Sequence, residues 1–497
     1  MKHTSRWQWG LFLLLQLLNL YQIVTHAMWR DELQTWSMVL ESNNLTELFH
    51  NMRYDGFPPL WHLSLWVLSF ISLSPLTMQL FHFACSLMSQ SLVMIRAPFS
   101  ANMRLIIVSG YYISFEYCII SRAYVLGVLL LFLYCAFKDW LMEHPFFKGC
   151  IFGLLANTSV YGAIISLALV VDGLWSAFNR RNEIAHTKHS LSVEVWRFMA
   201  SYSSFFIVAV VFMIPPDDVR FAQGWNLFPS FSELFFLLIR NLLFITPIPI
   251  QKIDFWNSLA VIDAGIWLSV PVSLGILFAI WYALKTTPRY LGLFFIGFTG
   301  IWAFTAMRYL GYLRHVGSAM ILFIVCIWLS AVSNEKKQVA VKWSTQIAIW
   351  SILIPNFIAC WMASFYILKY DFSGSREMAQ IIQDSGKNSY PIVADIDYAA
   401  SSVAGYLGKP LYYVSNHKKE TFIRWNSDRD DSGNPLEALR FAGDLAVTNN
   451  GQALLLLNYP IESIYARLIA KTREAIVANE VFYLYEYIQI KPDKQMR

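Results

Sequence analysis

The chain contains few charged residues. Asp, Glu, Lys and Arg together make up 14% of its 497 residues, whereas 56% are hydrophobic. Because a soluble domain usually carries about 25% charged residues, this composition excludes an ordinary soluble globular protein. It indicates a polytopic membrane protein whose direct partner is the lipid bilayer. The net charge of +5 is small, so no nucleic-acid partner is expected.

Cysteine is also scarce, and glycine-rich phosphate loops are missing. The six cysteines lie in apolar segments, and none lies in the polar C-terminal region. Their spacing fits neither a metal site nor a disulfide framework, so we interpret them as small buried hydrophobic residues. The polar region after residue 368 contains no glycine-rich nucleotide-binding motif.

Long apolar runs, by contrast, are abundant. A membrane-spanning helix needs about 20 apolar residues. The run 149–177 is interrupted near Asn157 and predicts a hairpin of two short helices, whereas 58–74 and 231–250 are predicted to re-enter or lie flat. With these assignments the sequence predicts about eleven spans. The single-helix spans are 7–26, 77–95, 104–120, 123–137, 196–214, 263–284, 290–306, 316–332 and 343–367.

Basic residues predict the orientation of the chain. Positive charge collects on the cytoplasmic side of short loops, which places the N-terminus in the cytoplasm and the C-terminal region outside. No small-x-small cleavage site follows the N-terminal run, so we expect a retained first helix in the cell inner (plasma) membrane. The basic clusters are Lys2/Arg6, Arg96/Arg104, Lys138/Lys148, Arg180/Arg181/Lys188, Lys285/Arg289 and Lys336/Lys337/Lys342.

The first outer loop, 27–60, contains the acidic residues that are the candidates for a catalytic role. Asp31 and Glu32 are adjacent just beyond the first apolar run, and Asp55 follows later in the loop. Apolar residues at helical spacing predict short helices that lie in the membrane interface. The acidic pair alone fits a helix N-terminus equally well, since carboxylates there cap the helix and oppose its dipole.

Three arginines at outward-facing helix ends are candidates for binding a phosphate. Arg122, Arg308 and Arg314 are predicted near the membrane surface, where a charge is costly and tends to be functional. Arginine makes bidentate contacts with phosphate and keeps its charge. The alternative is that they snorkel to the interface or pair structurally with Glu116 and Asp55. The neighbouring His315 is predicted either to donate to the phosphate or to pack.

Several short motifs, read in order, resemble the GT-C superfamily of polytopic glycosyltransferases. They are Trp-Arg-Asp-Glu at 29–32 and Tyr-Asp-Gly-Phe-Pro-Pro-Leu-Trp at 54–61, after a first transmembrane helix. The nearest likeness is to the bacterial branch akin to protein O-mannosyltransferases and aminoarabinose lipid A transferases. Phe57 stands where that family's element has a histidine. Further similar motifs lie at 120–124, 156–158, 313–317 and 372–377.

The resemblance implies a function as well as a fold. It implies a polyprenyl-phosphate sugar donor, an extracytoplasmic acceptor that is a glycan, lipid or protein, and inverting transfer. An acidic residue of the first outer loop would act as base, for which Asp31 is the first candidate and Glu32 the alternate. Asp55 would orient the acceptor or help to bind a divalent cation. Some enzymes of the superfamily use such a cation and others do not, so no cofactor is certain.

The predicted fold class is mainly α, with a transmembrane helical bundle and a small extracytoplasmic α/β domain. Residues 1–367 form the membrane module and residues 368–497 the outer domain. In that domain, alternating patterns predict strands and one helix. The strands are 390–395, 453–457 and 481–490, and the helix is 398–407.

Other functions remain open from sequence. A transporter or flippase for a polyprenyl-linked sugar often shows paired repeats with broken helices, and no repeat is visible here. A non-catalytic membrane protein of glycan assembly is the other alternative. The position of the acidic pair near the membrane surface favours the enzyme, and a polysaccharide polymerase or ligase is disfavoured for the same reason.

Overall fold

The structure is a computed structural model that describes most of the chain. It covers residues 4–183, 188–220, 224–336, 342–430 and 433–489, without the side chains of 179–183 and 188–191. Some of the basic residues used to predict orientation lie outside the described part. These are Lys2, Lys337 and the side chains of Arg180, Arg181 and Lys188.

Most of the described chain is helical. The α-helices are α1 (Arg6–Thr25), α2 (Arg30–Leu40), α3 (Leu45–Asn51), α4 (Leu60–Ser69), α5 (Leu76–Arg96), α6 (Ala101–Val108), α7 (Tyr124–Ala136), α8 (Lys138–Glu143), α9 (Pro145–Ala156), α10 (Val160–Glu183), α11 (Lys188–Met213), α12 (Phe231–Leu243), α13 (Ala260–Asp263), α14 (Ile266–Leu284), α15 (Pro288–Met307), α16 (Leu313–Val316), α17 (Ser318–Lys336), α18 (Trp343–Lys369), α19 (Ser375–Asp384), α20 (Asp397–Leu407) and α21 (Pro435–Thr448). The predicted polytopic bundle is therefore confirmed.

Seven helical segments in the described part are long and apolar enough to cross a membrane. An eighth candidate is the pair α1 and α2, which meet at an angle of 70°. The predicted count of about eleven spans is therefore higher than the number of helices that can cross alone. The seven are Leu76–Arg96, Val160–Phe178, Ser192–Met213, Ile266–Leu284, Pro288–Met307, Leu313–Lys336 and Trp343–Lys369.

The difference comes from short and broken helices. Helix α7 has 13 residues and α9 has 12, which at 1.5 Å per residue gives about 20 Å against a hydrocarbon core of about 30 Å. The predicted span 104–120 is divided, because α6 ends at Val108 and Tyr111–Glu116 forms a π-helix. The predicted break near Asn157 is present, but the helix after it, α10, has 24 residues and is not short.

The two segments predicted not to cross are short. Helix α4 has 10 residues and α12 has 13, so neither reaches across a bilayer by itself. The centre of the bundle is the span that α16 and α17 form together, of which 83% is buried. Helices α9 and α11 approach closely at Gly149, where an added methyl group would overlap the Ser201 hydroxyl and the Phe198 carbonyl. Small residues allow such close packing between membrane helices.

The C-terminal region forms a six-stranded mixed sheet, so the predicted α/β domain is confirmed. Strand order is β3-β2-β1-β4-β6-β5, with β1 parallel to both β2 and β4 and the other pairs antiparallel. Hydrophobic clusters cover both faces, one including α20 and the other α21. The strands are β1 (Ile392–Ala394), β2 (Leu411–Tyr413), β3 (Lys418–Glu420), β4 (Leu454–Leu457), β5 (Ala466–Lys471) and β6 (Tyr483–Tyr487).

The sheet domain packs directly on the first outer loop. Helix α20 approaches α2 so closely that a Cβ on Gly405 would lie 3.0 Å from the Leu33 Cβ. The Met28 backbone N–H donates to the Tyr406 hydroxyl at 2.8 Å, and the Met28 carbonyl accepts from the Ser375 hydroxyl at 2.8 Å. The bend between α1 and α2 is therefore held by residues of the C-terminal domain.

Further hydrogen bonds on either side of Met28 strengthen this contact. The Arg376 guanidinium donates to the backbone carbonyls of Thr25 at 3.0 Å and His26 at 2.5 Å. Further along α2, the Gln34 side chain donates to the Ile423 carbonyl at 2.7 Å and accepts from the Ile423 N–H at 2.9 Å. These contacts fix α2 between the membrane bundle and the sheet.

Candidate active site

Asp31 lies in the first turn of α2, beside the sharp bend that follows α1. Trp29 precedes this helix in an extended conformation, with φ −95° and ψ 176°. A carboxylate in the first turn of a helix is stabilised by the helix dipole. The Asp31 side chain is 28% exposed, so it is the more accessible member of the acidic pair.

Two arginines from distant parts of the chain meet at one oxygen of Asp31. The Arg122 Nη1 lies 3.1 Å from Asp31 Oδ2 and also donates to the Asp31 backbone carbonyl at 2.7 Å. The Arg314 Nη2 lies 3.2 Å from the same Oδ2. Both arginine side chains are about nine-tenths buried. Asp31 Oδ1 makes no hydrogen bond with any residue that the structure describes.

The charge around Asp31 keeps its carboxylate ionised. Burial raises the pKa of Asp31, but the neighbouring charges of Arg122, Arg314 and Arg30 lower it by more, so the pKa lies below its usual value of 3.8. Opposite charges within a few ångströms favour the charged form of an acid. At neutral pH the site therefore holds an anion between two buried cations.

Arg314 is surrounded by aromatic rings. Its guanidinium carbon lies 5.1 Å from the ring centre of Trp29, 5.4 Å from that of Trp256 and 5.1 Å from that of Tyr312. A guanidinium within about 6 Å of an aromatic face gains cation–π stabilisation. The indole N–H of Trp256 in turn donates a hydrogen bond of 3.0 Å to Glu116 Oε2. These contacts hold Arg314 in position, and none of them is an ion pair with a second acid.

Phe57 supports the other arginine. The Arg122 guanidinium carbon lies 5.1 Å from the centre of the Phe57 ring. Phe57 is the residue at which the sequence departs from the histidine of the GT-C element. The phenyl ring therefore contributes a cation–π contact at this position and leaves the guanidinium hydrogens available for other partners.

Glu32 is fully buried and both of its oxygens are bonded. Oε2 accepts from His26 Nε2 at 2.8 Å and from the Trp29 backbone N–H at 3.2 Å, while Oε1 accepts from the Ser121 N–H at 2.6 Å. Glu32 thus joins the bend before α2 to the segment that precedes Arg122. Its predicted role as the alternate base stays a prediction, and this placement does not favour it.

Asp55 follows the short 3-10 helix Met52–Tyr54 and approaches Gln34, which lies one turn after Asp31 on α2. Its Oδ1 is 3.5 Å from the Gln34 side-chain nitrogen and its Oδ2 is 3.7 Å from His62 Nε2. These contacts are long, and the Asp55 side chain is only 8% exposed. The structure brings Asp55 to the edge of the site without pairing it with Arg122.

Arg308 and His315 border the Arg314 segment. Arg308 follows α15 and is half-buried, with its guanidinium carbon 5.8 Å from the ring centre of Trp225. No hydrogen bond or ion pair to its side chain occurs within the described part of the chain. His315 accepts the Tyr312 N–H at Nδ1, 2.9 Å away, and stacks on Tyr161 at 5.6 Å. His315 therefore packs among tyrosines, while Arg308 has no anionic partner among the residues that the structure describes.

Arg30 connects the start of α2 to the C-terminal domain. Its guanidinium donates to the Asn479 side chain at 2.9 Å and lies 5.0 Å from the ring centre of Tyr398. Its backbone N–H donates to Glu480 Oε1 at 3.2 Å. Glu480 is fully buried and also accepts from the Ser373 hydroxyl at 2.5 Å. The residue next to Asp31 is thus positioned by three residues of the C-terminal domain, Tyr398, Asn479 and Glu480.

Comparison with known proteins gives a structural match. No protein-family model matches the sequence, and no curated protein matches it. Among solved structures, the crystal structure of ArnT from Cupriavidus metallidurans in the apo state has a TM-score of 0.52 at 14% identity. The match covers 96% of this chain and 98% of that chain. The chain has the GT-C fold of ArnT.

A second crystal structure, of ArnT from the same organism bound to undecaprenyl phosphate, covers 97% of this chain and 98% of that chain. Its TM-score is 0.49 and its identity 13%. At such low identity the likeness to ArnT establishes the fold alone. The expected GT-C-type membrane glycosyltransferase fold is confirmed, and the roles of individual residues have to be argued from the geometry of the site.

The donor set at Asp31 does not fit a divalent cation. Two guanidinium groups already bind Oδ2, and their positive charge opposes a second cation at that oxygen. In the described ranges no group of three or more His, Cys, Asp or Glu side chains is arranged to hold a metal ion. Asp55, the other carboxylate predicted to assist a cation, contacts an amide and a histidine.

Sequence reasoning missed several aromatic residues of the site within this ArnT-like fold. Trp256 lies in the stretch between α12 and α13, which has no helical or alternating pattern, so nothing marked it as a neighbour of Arg314. Trp29 and Tyr312 each lie within two residues of a predicted site residue. Their short distance along the sequence from Asp31 and Arg314 was the signal that could have identified them as site residues.

Proposed function

We propose that the protein is a membrane glycosyltransferase that moves a sugar from a polyprenyl-phosphate donor to a hydroxyl group of an extracytoplasmic acceptor, with inversion at the anomeric carbon. The observation that carries the proposal is the arrangement at Asp31, where two buried arginines hold one carboxylate oxygen and the other accepts no hydrogen bond from the described residues. The site thus combines a candidate base with cations suited to a phosphate. The GT-C fold is consistent with this chemistry.

Asp31 is proposed as the base. An alcohol is a poor nucleophile until its proton is taken, and a carboxylate within hydrogen-bond reach accepts that proton as attack proceeds. Asp31 Oδ1 is the available oxygen. Because the arginine neighbours hold the pKa of Asp31 below its usual value, the side chain is ionised at neutral pH, as a general base has to be. Glu32 lacks an unbonded oxygen.

Arg122, Arg314 and Arg308 are proposed to bind the donor phosphate. Guanidinium groups bind phosphate oxygens with paired hydrogen bonds, and Arg308 is half-buried beside Trp225 without an anionic partner in the described chain. His315 is proposed to support the Arg314 segment by packing. Its participation in phosphate binding stays a prediction, as does the role of Asp55 in orienting the acceptor.

The proposed step conserves atoms and charge. The acceptor oxygen forms a bond to the anomeric carbon as the bond from that carbon to the phosphate oxygen breaks. The hydroxyl proton passes to Asp31, and the electron pair of the broken bond stays on the departing polyprenyl phosphate. The arginines stabilise the charge that develops on the phosphate. Asp31 then loses its proton to solvent.

The proposed location is the inner membrane with the site on its outer side. The apolar helices support a multi-pass membrane protein. The division into a membrane module, 1–367, and an outer domain, 368–497, agrees with the end of α18 at Lys369. In this arrangement the sheet domain holds the first outer loop, and an acceptor reaches Asp31 from the aqueous side.

A direct assay tests the proposal. Purified protein in detergent is incubated with undecaprenyl phosphate that carries a radiolabelled hexose or pentose, and loss of label from the lipid fraction is measured. The wild type should release or transfer the sugar, and Asp31→Asn should do neither. Asp218→Asn is the matched control, because Asp218 is an exposed acid paired with Arg53 and Tyr54. Full activity in Asp31→Asn contradicts the base assignment, and translocation in vesicles without release of sugar indicates a flippase.

A further inference from the structure

We propose that the Asp31 carboxylate occupies the place of the donor phosphate on Arg122 and Arg314, and that the two anions exchange when the donor binds. This exchange rests on the proposed function and adds to it the order in which the donor phosphate and the base act. The carboxylate is set free to act on the acceptor only after a phosphate has taken over the arginines. The ligand class that drives the exchange is a lipid phosphate.

The convergence of the two arginines is the first reason for this proposal. Arg122 and Arg314 both contact Asp31 Oδ2, at 3.1 and 3.2 Å, although they come from segments 91 and 283 positions away in the sequence. Two guanidinium groups on a single anionic oxygen are the arrangement that a phosphate oxygen also takes. The carboxylate therefore stands where a phosphate oxygen would bind best.

The second reason is that the described chain supplies these arginines with no other ion pair. The buried acids close by, as far as the structure describes them, form no ion pair with either arginine. Glu32 accepts three hydrogen bonds from His26 and two backbone N–H groups, and Glu116 accepts from Trp256 and Tyr111. An incoming anion can bind these two guanidinium groups only in competition with Asp31.

The third reason is the balance of charge. Two arginines and one carboxylate leave a net charge of about one positive unit at the site, which a phosphodiester monoanion would neutralise. If the carboxylate stayed in contact with both arginines, the phosphate would lie close to a like charge in a largely buried place, where repulsion is strong. Moving the carboxylate away from the arginines relieves that repulsion.

Exchange has a consequence for the reaction. The arginines stabilise the ionised carboxylate, so Asp31 is a weak base while they remain on it. Once the phosphate has taken them, the carboxylate binds a proton more readily, and by reciprocity phosphate and proton favour each other at this site. The base therefore becomes effective when the sugar donor is in place.

Lipid binding tests the exchange without knowledge of the sugar or the acceptor. Affinity for undecaprenyl phosphate is measured in detergent at neutral pH for the wild type, Asp31→Asn and Asp218→Asn, with undecaprenol as the uncharged probe. Removing the competing charge should strengthen undecaprenyl phosphate binding by about tenfold or more and leave undecaprenol binding unchanged. Asp218→Asn should match the wild type. Equal or weaker phosphate binding by Asp31→Asn overturns the proposal.

A second measurement uses only the wild-type protein. A structure of its complex with undecaprenyl phosphate should show Arg122 and Arg314 on the phosphate, with their contacts to Asp31 Oδ2 broken. A complex that keeps both contacts, with the phosphate bound elsewhere, overturns the exchange whatever the variants do. Transfer activity separates the two proposals. Tighter phosphate binding by an Asp31→Asn protein that still transfers sugar refutes the base and keeps the exchange.

Discussion

Arg30 and Glu480 lie 450 positions apart in the sequence and meet beside the candidate base. The Arg30 backbone N–H donates to Glu480 Oε1 at 3.2 Å, and the Arg30 guanidinium is 3.4 Å from the same oxygen. Glu480 is fully buried, whereas the Arg30 side chain is 22% exposed. The geometry of the first turn of α2 therefore depends on an acid from the end of the sheet domain.

This acid predicts a pH dependence of stability. Burial raises the pKa of Glu480 to about 7 from a usual value of 4.5, against the lowering effects of Arg30 and Ser373. Because the folded protein holds the proton more tightly, the stabilisation is fully present below pH 4.5 and is lost as pH rises through about 7. The loss is on the order of 3 kcal/mol. Melting in detergent at pH 5 and pH 8 should show the loss, and Glu480→Gln should reduce it. An unchanged slope in the variant contradicts the prediction.

Glu32 should matter for stability more than for chemistry. In Glu32→Gln an amide nitrogen replaces one oxygen, so at least one of the three donors around it loses its acceptor. A buried donor without a partner costs about 1–3 kcal/mol. The melting temperature should fall, and the decrease should exceed that of Glu41→Gln, a control at the exposed residue that follows α2. A melting temperature equal to the wild type would refute the structural role.

Arg122→Lys tests whether geometry or charge alone is needed at the site. Lysine keeps the charge but cannot contact both the carboxylate and the backbone carbonyl of Asp31 from one planar group. Sugar release should fall by about tenfold to a hundredfold, with the protein still folded. Arg53→Lys is the matched control, since the Arg53 side chain is 42% exposed, and this variant should retain activity. Wild-type rates in Arg122→Lys would show that a point charge is sufficient.

Gly149→Ala should disrupt the bundle. The new methyl group meets the Ser201 hydroxyl and the Phe198 carbonyl, and backbone atoms cannot move aside without separating α9 from α11. Overpacking of this kind costs about 1–3 kcal/mol or more. The yield of folded protein by size-exclusion chromatography should fall sharply. Gly292→Ala is the control, since no atom lies within 4 Å of its added Cβ, and normal yield from both variants would contradict the packing argument.

Much of the architecture was predictable because hydropathy reports burial in lipid directly. The long apolar runs, the break near Asn157 and the four predicted elements of the outer domain correspond to helices and strands in the structure. The span count was overestimated because hydropathy does not report helix breaks. Residues 104–120 are mostly apolar, yet the π-helix Tyr111–Glu116 interrupts them. The tertiary contacts of its side chains, such as the hydrogen bond from Trp256 to Glu116, have no signal in the local sequence.

The candidate site was predictable in kind but not in geometry. Topology placed Asp31, Arg122 and Arg314 on one side of the membrane, and these three meet. Sequence could not separate Asp31 from Glu32, because the two are adjacent and chemically alike. The two acids differ in the structure because the Ser121 backbone N–H donates a hydrogen bond to Glu32 in the interior. Such long-range contacts have no local pattern.

The contacts between the bend after α1 and the sheet domain also set an order of events during synthesis. The backbone groups of Thr25, His26 and Met28 are bonded by Arg376, Ser375 and Tyr406. Translation therefore has to pass residue 406 before the beginning of the chain reaches its final shape. A nascent chain arrested earlier leaves those groups uncovered, so the geometry around Asp31 is completed late in synthesis.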